Sequence, residues 1–396
     1  MSTAVVVPAQ ALPRSLTHGP TRRRLSEEGL PGGHALMRFG PIAEGGVVPV
    51  AALLADGADP GELAPFLAEL LVIGRLGSDH TTWKIAVDGA CGRVFCLYLS
   101  PRSPGVSYAV PLAPSVDALA RFLSRLDDFE ASRGPFAVLA GRTGPEVVAE
   151  ASALLMSAFT DEDWGEDGWG SAGGPSSWAH PVPTLWRIAA LIRPTALLAG
   201  PGAGLRADLP AKVLEAEFGP DGMLRVDPGE LPPALVHEPT RRFLTRVGLP
   251  TAEVMFCPWR DGAFLRPLTE CEPDLEDDPE LPADAGHLLA LGSLIHDFEV
   301  VLDGRTGLVS YLPYGGGTTT PLNSDISTLA FTMWLCHRER RLDAEHDLTG
   351  DFYHELADTM TEVLEAVDPV ACLPPADADD YRYWPEVFHD EAGDVL

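Results

Sequence analysis

Residues 7–31 of this chain align without a gap on residues 226–250, at an offset of 219, and 13 of the 25 positions are identical. A self-match of that length means that one folding unit has been written twice, and this sets the architecture. The match is densest where Pro-Thr-Arg-Arg-Arg-Leu-Ser-Glu-Glu-Gly-Leu-Pro (20–31) faces Pro-Thr-Arg-Arg-Phe-Leu-Thr-Arg-Val-Gly-Leu-Pro (239–250). The shared letters are structural ones. Thr21 and Thr240 are of the type that caps a short helix, Gly29 and Gly248 suit a positive-φ position at its end, and Pro31 and Pro250 stop continuation. Arg22, Arg23, Arg241 and Arg242 read either as a small cationic site or as exposed arginines on a surface turn.

The repeat continues beyond that block. Residues 83–99 and 298–312 each place apolar β-formers around an Asp-Gly-x-x-Gly turn, Asp88 to Gly92 and Asp303 to Gly307, at an offset of 215. This is a strong hairpin signal. Pro111-Leu112 then matches Pro321-Leu322 at an offset of 210. An amphipathic helix follows in each copy: Val116, Leu119, Leu123 and Leu126 correspond to Ile326, Leu329, Met333 and Cys336, with Ser115 and Asn323 or Ser324 as caps. A last helix pair, 146–159 and 355–368, precedes Trp186 and Trp384, each leading into a short apolar segment. The first copy adds a Gly- and Trp-rich insertion at 164–178, read as a loop. The falling offset reflects small insertions between fixed elements. The expected fold is α+β: two tandem domains of one design, each a central β-sheet with a hairpin, packed by flanking helices. The first copy spans 1–196, a junction 197–219, and the second copy 220–396. A chain of 396 residues with 45% apolar content has the material for two cores.

Charge separates the copies. The chain holds 58 acidic and 28 basic residues, a net charge of −30. Residues 1–200 contribute 15 basic and 20 acidic, or −5, and residues 201–396 contribute 13 basic and 38 acidic, or −25. Such a field repels phosphate backbones and anionic bilayers, and attracts basic proteins. No nucleic-acid or membrane partner is expected. The negative charge concentrates in 270–284 and in the tail 377–394. No stretch reads as a signal or a membrane span, because even the apolar run 185–199 is interrupted by Arg187, Arg193 and Pro194. The six cysteines form no zinc-type pairing and read as mostly buried thiols of a cytoplasmic protein.

The sequence offers little for catalysis. Gly202-Ala203-Gly204-Leu205-Arg206-Ala207 has the spacing of a dinucleotide-binding turn, but it falls in the junction without a surrounding strand-helix-strand pattern. Gly315-Gly316-Gly317-Thr318 lacks the lysine of a phosphate loop. His237-Glu238 could open a zinc-protease helix, but Pro239 and Arg241 break that pattern. Cys336-His337 are neighbours on a helix and point to different faces. His18 and His237 occupy the same place in both copies, which favours a structural role. No catalytic residue, metal ligand or cofactor site is assigned.

The succession of Thr-Arg-Arg-x-Leu, Gly-Leu-Pro, the Asp-Gly-x-x-Gly hairpin, Pro-Leu-Asn-Ser (321–324) and Tyr383-Trp384 resembles the SUKH superfamily, specifically the group-four immunity proteins of bacterial polymorphic toxin systems, in tandem. The second copy fits better, because the first has Ala-Pro-Ser at 113–115 in place of Asn-Ser. The resemblance implies a non-catalytic α+β protein that binds and neutralises a cognate protein toxin, often a nuclease or nucleic-acid deaminase. A basic toxin also suits the charge. The residues expected to meet it are Glu272, Asp274, Glu276, Asp277, Asp278 and Glu280. An intracellular scaffold or regulatory binding module is the alternative reading, and an enzyme with a nucleotide site near Gly202 a remote one.

Overall fold

The computed structural model describes residues 4–39, 46–77, 83–160, 182–202, 204–251, 255–259, 262–272, 275, 280–281, 285–295, 298–314, 317–374 and 382–392. The insertion 164–178, Ala203, Gly315 and Gly316, and part of the acidic tail lie outside the described residues. The chain divides into two units, residues 1–140 with 153–190, and residues 141–152 with 191–396.

The first unit opens with strand β1 (Ala4–Val5), helix α1 (Gly19–Arg23) and strand β2 (Leu30–Pro31), and β1 pairs antiparallel with β2. Its main sheet follows: β3 (Met37–Arg38), β4 (Val48–Pro49), β5 (Leu71–Leu76), β6 (Lys84–Val87), β7 (Val94–Tyr98) and β8 (Tyr108–Ala113). The strand order is β3-β5-β6-β7-β8, with β4 also on β5, and every pairing is antiparallel. A short helix α2 (Pro65–Glu69) precedes β5, and helices α3 (Val116–Glu130), α4 (Pro145–Phe159), whose residues 145–152 belong to the second unit, and α5 (Thr184–Leu191) follow β8. In α3 the residues Val116, Leu119, Leu123 and Leu126 are buried as their spacing predicts, and Ser115 accepts from the Ala118 amide as the N-cap. In the core Phe159 stacks on Trp186, and Phe122 meets both rings edge-on.

The second unit repeats this plan. Helix α6 (Ala211–Phe218) leads into β9 (Met223–Leu224), α7 (Glu238–Arg246) and β10 (Leu249–Pro250), with β9 antiparallel to β10. The main sheet is a five-stranded antiparallel meander of β11 (Phe256–Pro258), β12 (Leu288–Leu294), β13 (Phe298–Asp303), β14 (Val309–Pro313) and β15 (Thr320–Asn323). Helix α8 (Leu268–Cys271) lies between β11 and β12, and helices α9 (Ile326–His346), α10 (Tyr353–Val367) and α11 (Tyr383–Ala392) follow β15. Here the helix reading needs correction. Residues Ile326 to Cys336 are all buried, not one stripe of them, so the first half of α9 is covered on every side. Its N-cap is Asp325 rather than Asn323 or Ser324. The Asp325 carboxylate accepts from the Ser327 and Thr328 amides, and Thr328 answers through its hydroxyl in a capping box.

The two best-matching sequence blocks of each copy turn out to be one device. In the first copy the amides of Thr17 and His18 donate to the Gly89 carbonyl at 2.8 and 2.9 Å; in the second, Val236 and His237 donate to Gly304 at the same distances. The hairpin turn is therefore hung on the entry of the helix. His18 is the N-cap of α1 and shares a 2.8 Å hydrogen bond with Thr21, as His237 does with Thr240 in α7. The threonines are thus inside the helices and support the capping histidine, instead of capping themselves. Gly92 and Gly307 pack against these imidazoles at φ +81° and +83°, leaving no room for a Cβ. Arg22 and Arg241 donate to the carbonyls of Leu16 and Leu235 at 2.9 and 2.8 Å, while Arg23 and Arg242 are exposed.

Candidate partner-binding site

In β13, Val300, Val301 and Leu302 are all buried, so both faces of the strand are covered. One face lies against an apolar cluster in which Val301 and Leu312 from the sheet meet Leu268 of α8, Leu275, Leu281 and Ala285. Leu275 and Leu281, from within the acidic stretch, are thereby packed on the sheet. Alternation along β13 puts Glu299 on the same face as Val301, opposite Leu312 on β14 and Ser293 on β12. Glu299 is 1% exposed, and neither carboxylate oxygen has a hydrogen-bond partner among the described residues. Burial, with the charge of Glu272 added, pushes its carboxyl up to about 7.

Among the expected partner-binding residues, Glu272 is half-buried at the end of α8 and donates its amide to Leu268 at 2.8 Å. Glu280 is exposed and accepts from the Thr318 hydroxyl at 3.3 Å. Asp274, Glu276, Asp277 and Asp278 lie outside the described residues. Glu299 is the residue that the sequence reading missed. Its signal was a lone carboxylate within Phe-Glu-Val-Val-Leu, a strand apolar on both faces.

At the hairpin below, burial works to raise the Asp303 carboxyl, but the amides of Arg305 and Thr306, the Thr306 hydroxyl and His287 together hold it below its usual range. A second polar centre sits under Trp384. Its indole donates to Asn323 at 3.0 Å, Asn323 donates to Asp368 at 3.1 Å, and the Ser324 amide and hydroxyl also donate to Asp368. Asp368 is fully buried, so this network is scaffolding rather than a surface.

The glycine-rich string of the junction has a different job from the one its spacing suggests. It is preceded by the 3-10 turn Arg193–Leu197, not by a strand, and the Gly204 amide turns back to Gly202 at 2.8 Å. The Arg206 amide, which a phosphate would need, is held by the Asp325 carboxylate at 2.6 Å. The cysteines are less buried than expected: Cys96 and Cys336 are buried, Cys271 and Cys372 are intermediate, and Cys91 and Cys257 are exposed. Burial, reinforced by Glu365 and Asp368, pushes the Cys372 thiol up to about 12, opposite to the demand of a thiolate nucleophile. Cys336 is buried in α9, while His337 turns to the Phe218 ring. Among the described residues no group of three or more His, Cys, Asp or Glu side chains is placed to hold a metal ion, and no helix is long and apolar enough to cross a membrane.

The family model of the SUKH-4 immunity proteins matches the chain twice, over residues 2–160 and 209–390. The chain belongs to the SUKH-4 immunity protein family. Each of its main sheets, with the hairpin hung on a histidine-capped helix, lies within one SUKH-4 match, and toxin neutralisation is the function that the family suggests. The polar centre Asn323-Ser324-Asp368 lies in the second SUKH-4 match; at the corresponding place the first has Ala113-Pro114. Comparison with curated proteins and with solved structures gives no match.

Proposed function

We propose that this protein neutralises a cognate protein toxin by binding it, without catalysis, in the cytoplasm, and that the second copy provides the docking face through the acidic segment 270–284. The double family match is the observation that carries the reading. The charge of −25 in residues 201–396 supports the choice of the second copy and of a basic partner. Toxins that cut or deaminate nucleic acid need basic surfaces to hold their substrate, and an acidic inhibitor uses the same attraction to steer its approach. Leu275 and Leu281 support this role by tying the segment to the sheet, which lowers the ordering cost of binding. The domain limits 1–196 and 220–396 are proposed for the two copies.

The test is retention of partners from native lysate on the full tagged chain at low and high salt, with a variant carrying Asp274→Asn, Glu276→Gln, Asp277→Asn and Asp278→Asn. The expected result is one basic nuclease- or deaminase-like protein, retained at low salt and lost as salt rises, with association slowed at least about tenfold in the variant. Equal association kinetics for variant and parent at low salt would remove the segment from the interface.

A further inference from the structure

The second unit contains a cavity of about 430 Å³ lined by none of the described residues of the acidic segment. It is built from one stripe of each of three helices. Trp334, Arg338 and Leu342 follow one another at single-turn spacing on α9, Val148 comes from the start of α4, and Lys212 and Glu217 come from α6. The rest of its wall is predominantly apolar. The cavity is partly open to solvent, and ligand pockets fall in the range of about 300–1,000 Å³. This cavity has the size and the lining of a ligand pocket.

Its charges point to the ligand. Lys212 and Arg338 make no hydrogen bond or ion pair among the described residues, while Glu217 is held by Arg341 at 2.8 Å. The pocket therefore offers two uncommitted cations, in a half of the chain where 38 acidic residues outnumber 13 basic ones. Arg338 stands between Trp334 and Leu342 on its helix face, so its guanidinium rises from an apolar wall. An anion seated there would receive charge-assisted hydrogen bonds from the half-buried Arg338 and from Lys212, which is exposed at the edge of the pocket. An apolar tail would replace water along the wall.

We propose that this pocket binds a small anionic amphiphile, a single carboxylate head on an apolar tail, with Arg338 and Lys212 as the head-group residues. The inference uses no part of the toxin-binding reading.

Decanoate is the probe, titrated calorimetrically into the full chain below its micellar concentration, with decanol and acetate as tail-only and head-only controls. One saturable site is expected for decanoate, with either control binding at least about tenfold more weakly. Arg338→Gln with Lys212→Gln should weaken decanoate roughly tenfold and leave decanol unchanged. A second measurement needs no variant. Lys212 is one of two lysines in the chain, the other being Lys84, so amine acetylation read by mass spectrometry reports on each alone. Decanoate should slow acetylation of Lys212 and not of Lys84. Absence of saturable binding, decanol binding as tightly as decanoate, or equal acetylation of Lys212 with and without decanoate would each overturn the proposal.

Discussion

The two copies close the same helix entry on the same hairpin turn, yet they fill the space beneath their last tryptophan differently. In the first copy the Trp186 indole donates to the backbone carbonyl of Leu112 at 2.6 Å. In the second, Trp384 reaches Asn323, and through it the buried Asp368. The central hairpins differ in the same way: the position of Lys84 on β6 is taken by Glu299 on β13. Where the backbone supplies the hydrogen bonds the copies agree residue for residue, as Val7 to Leu25 and Val226 to Leu244 do at 2.9 and 3.1 Å. Side-chain hydrogen bonds are kept at the helix entry, where His18 and His237 hold Thr21 and Thr240, and have parted beneath the last tryptophan. Backbone hydrogen bonds are indifferent to residue identity, so they preserve the plan while the side chains around them change.

Removing the hub of the second copy should separate the two most strongly. Asp368→Ala leaves the Asn323 amide, the Ser324 amide and hydroxyl, and the Val370 amide without their acceptor. A loss of about 3–5 kcal/mol is expected for the second unit. Thr160→Ala, an exposed site at the corresponding helix end of the first copy, should cost less than about 0.5 kcal/mol. Urea denaturation of the full chain, followed by hydrogen exchange in each unit, measures both. The shared device gives the opposite test. Gly92→Ala and Gly307→Ala each force a Cβ onto the imidazole of the N-cap histidine at positive φ, at about 2–4 kcal/mol. The two costs should agree within about 1 kcal/mol, read as lost amide protection in each hairpin, and a harmless change in either copy would show that its turn is not hung on the helix.

Much of this plan was legible in the letters. Asp-Gly-x-x-Gly announced both hairpins, and the spacing of Val116, Leu119, Leu123 and Leu126 gave the buried face of α3. Three readings failed for physical reasons. Thr21 and Thr240 have cap chemistry, but a helix start is set by where the chain turns, and the Gly89 and Gly304 carbonyls turn it two or three residues earlier by binding the amides at 17–18 and 236–237. Asn323 is a good cap by composition, yet it ends a strand and its amide is committed to Asp368, leaving Asp325 at the helix entry. The first half of α9 exceeds its predicted stripe because periodicity registers contrast between faces, and a helix covered all round has none. Glu299 stayed hidden because what makes it unusual is the apolar cover brought by Leu275 and Leu281, 24 and 18 residues earlier in the chain.

That cover makes the exchange of Lys84 for Glu299 testable by pH. Because the Glu299 carboxyl is raised in the folded state, to about 7 from an ordinary 4.5, the folded chain keeps its proton at pH values where the unfolded chain has released it. Stability from this group is complete below about pH 4.5 and is lost as pH rises through 7. Glu299→Gln should therefore stabilise the second unit at pH 8 by about 1–3 kcal/mol and change it little at pH 4. Lys84→Gln should leave the first unit within about 0.5 kcal/mol at both pH values. Parallel stability-versus-pH curves for Glu299→Gln and the parent chain would mean that Glu299 finds a partner when ionised.

The smallest difference expected between the copies is electrostatic and concerns the approach of a partner. Glu272→Gln with Glu280→Gln removes two charges from a half of the chain at −25, and Glu27→Gln with Glu28→Gln removes two from a half at −5. Both pairs alter the net charge equally, so a toxin guided only by the total would respond equally. A toxin guided to the second copy responds to the first pair alone, because at physiological salt a charge is screened beyond about 8 Å. The expected effect is a two- to fivefold fall in association rate at low salt for the Glu272 and Glu280 variant, vanishing at high salt, with no change for the Glu27 and Glu28 variant. Dissociation should be unaffected in both, since charges at the rim of an interface act on encounter and not on residence. An equal response to the two pairs would move the docking face away from the acidic segment and return the choice between copies to their shared framework.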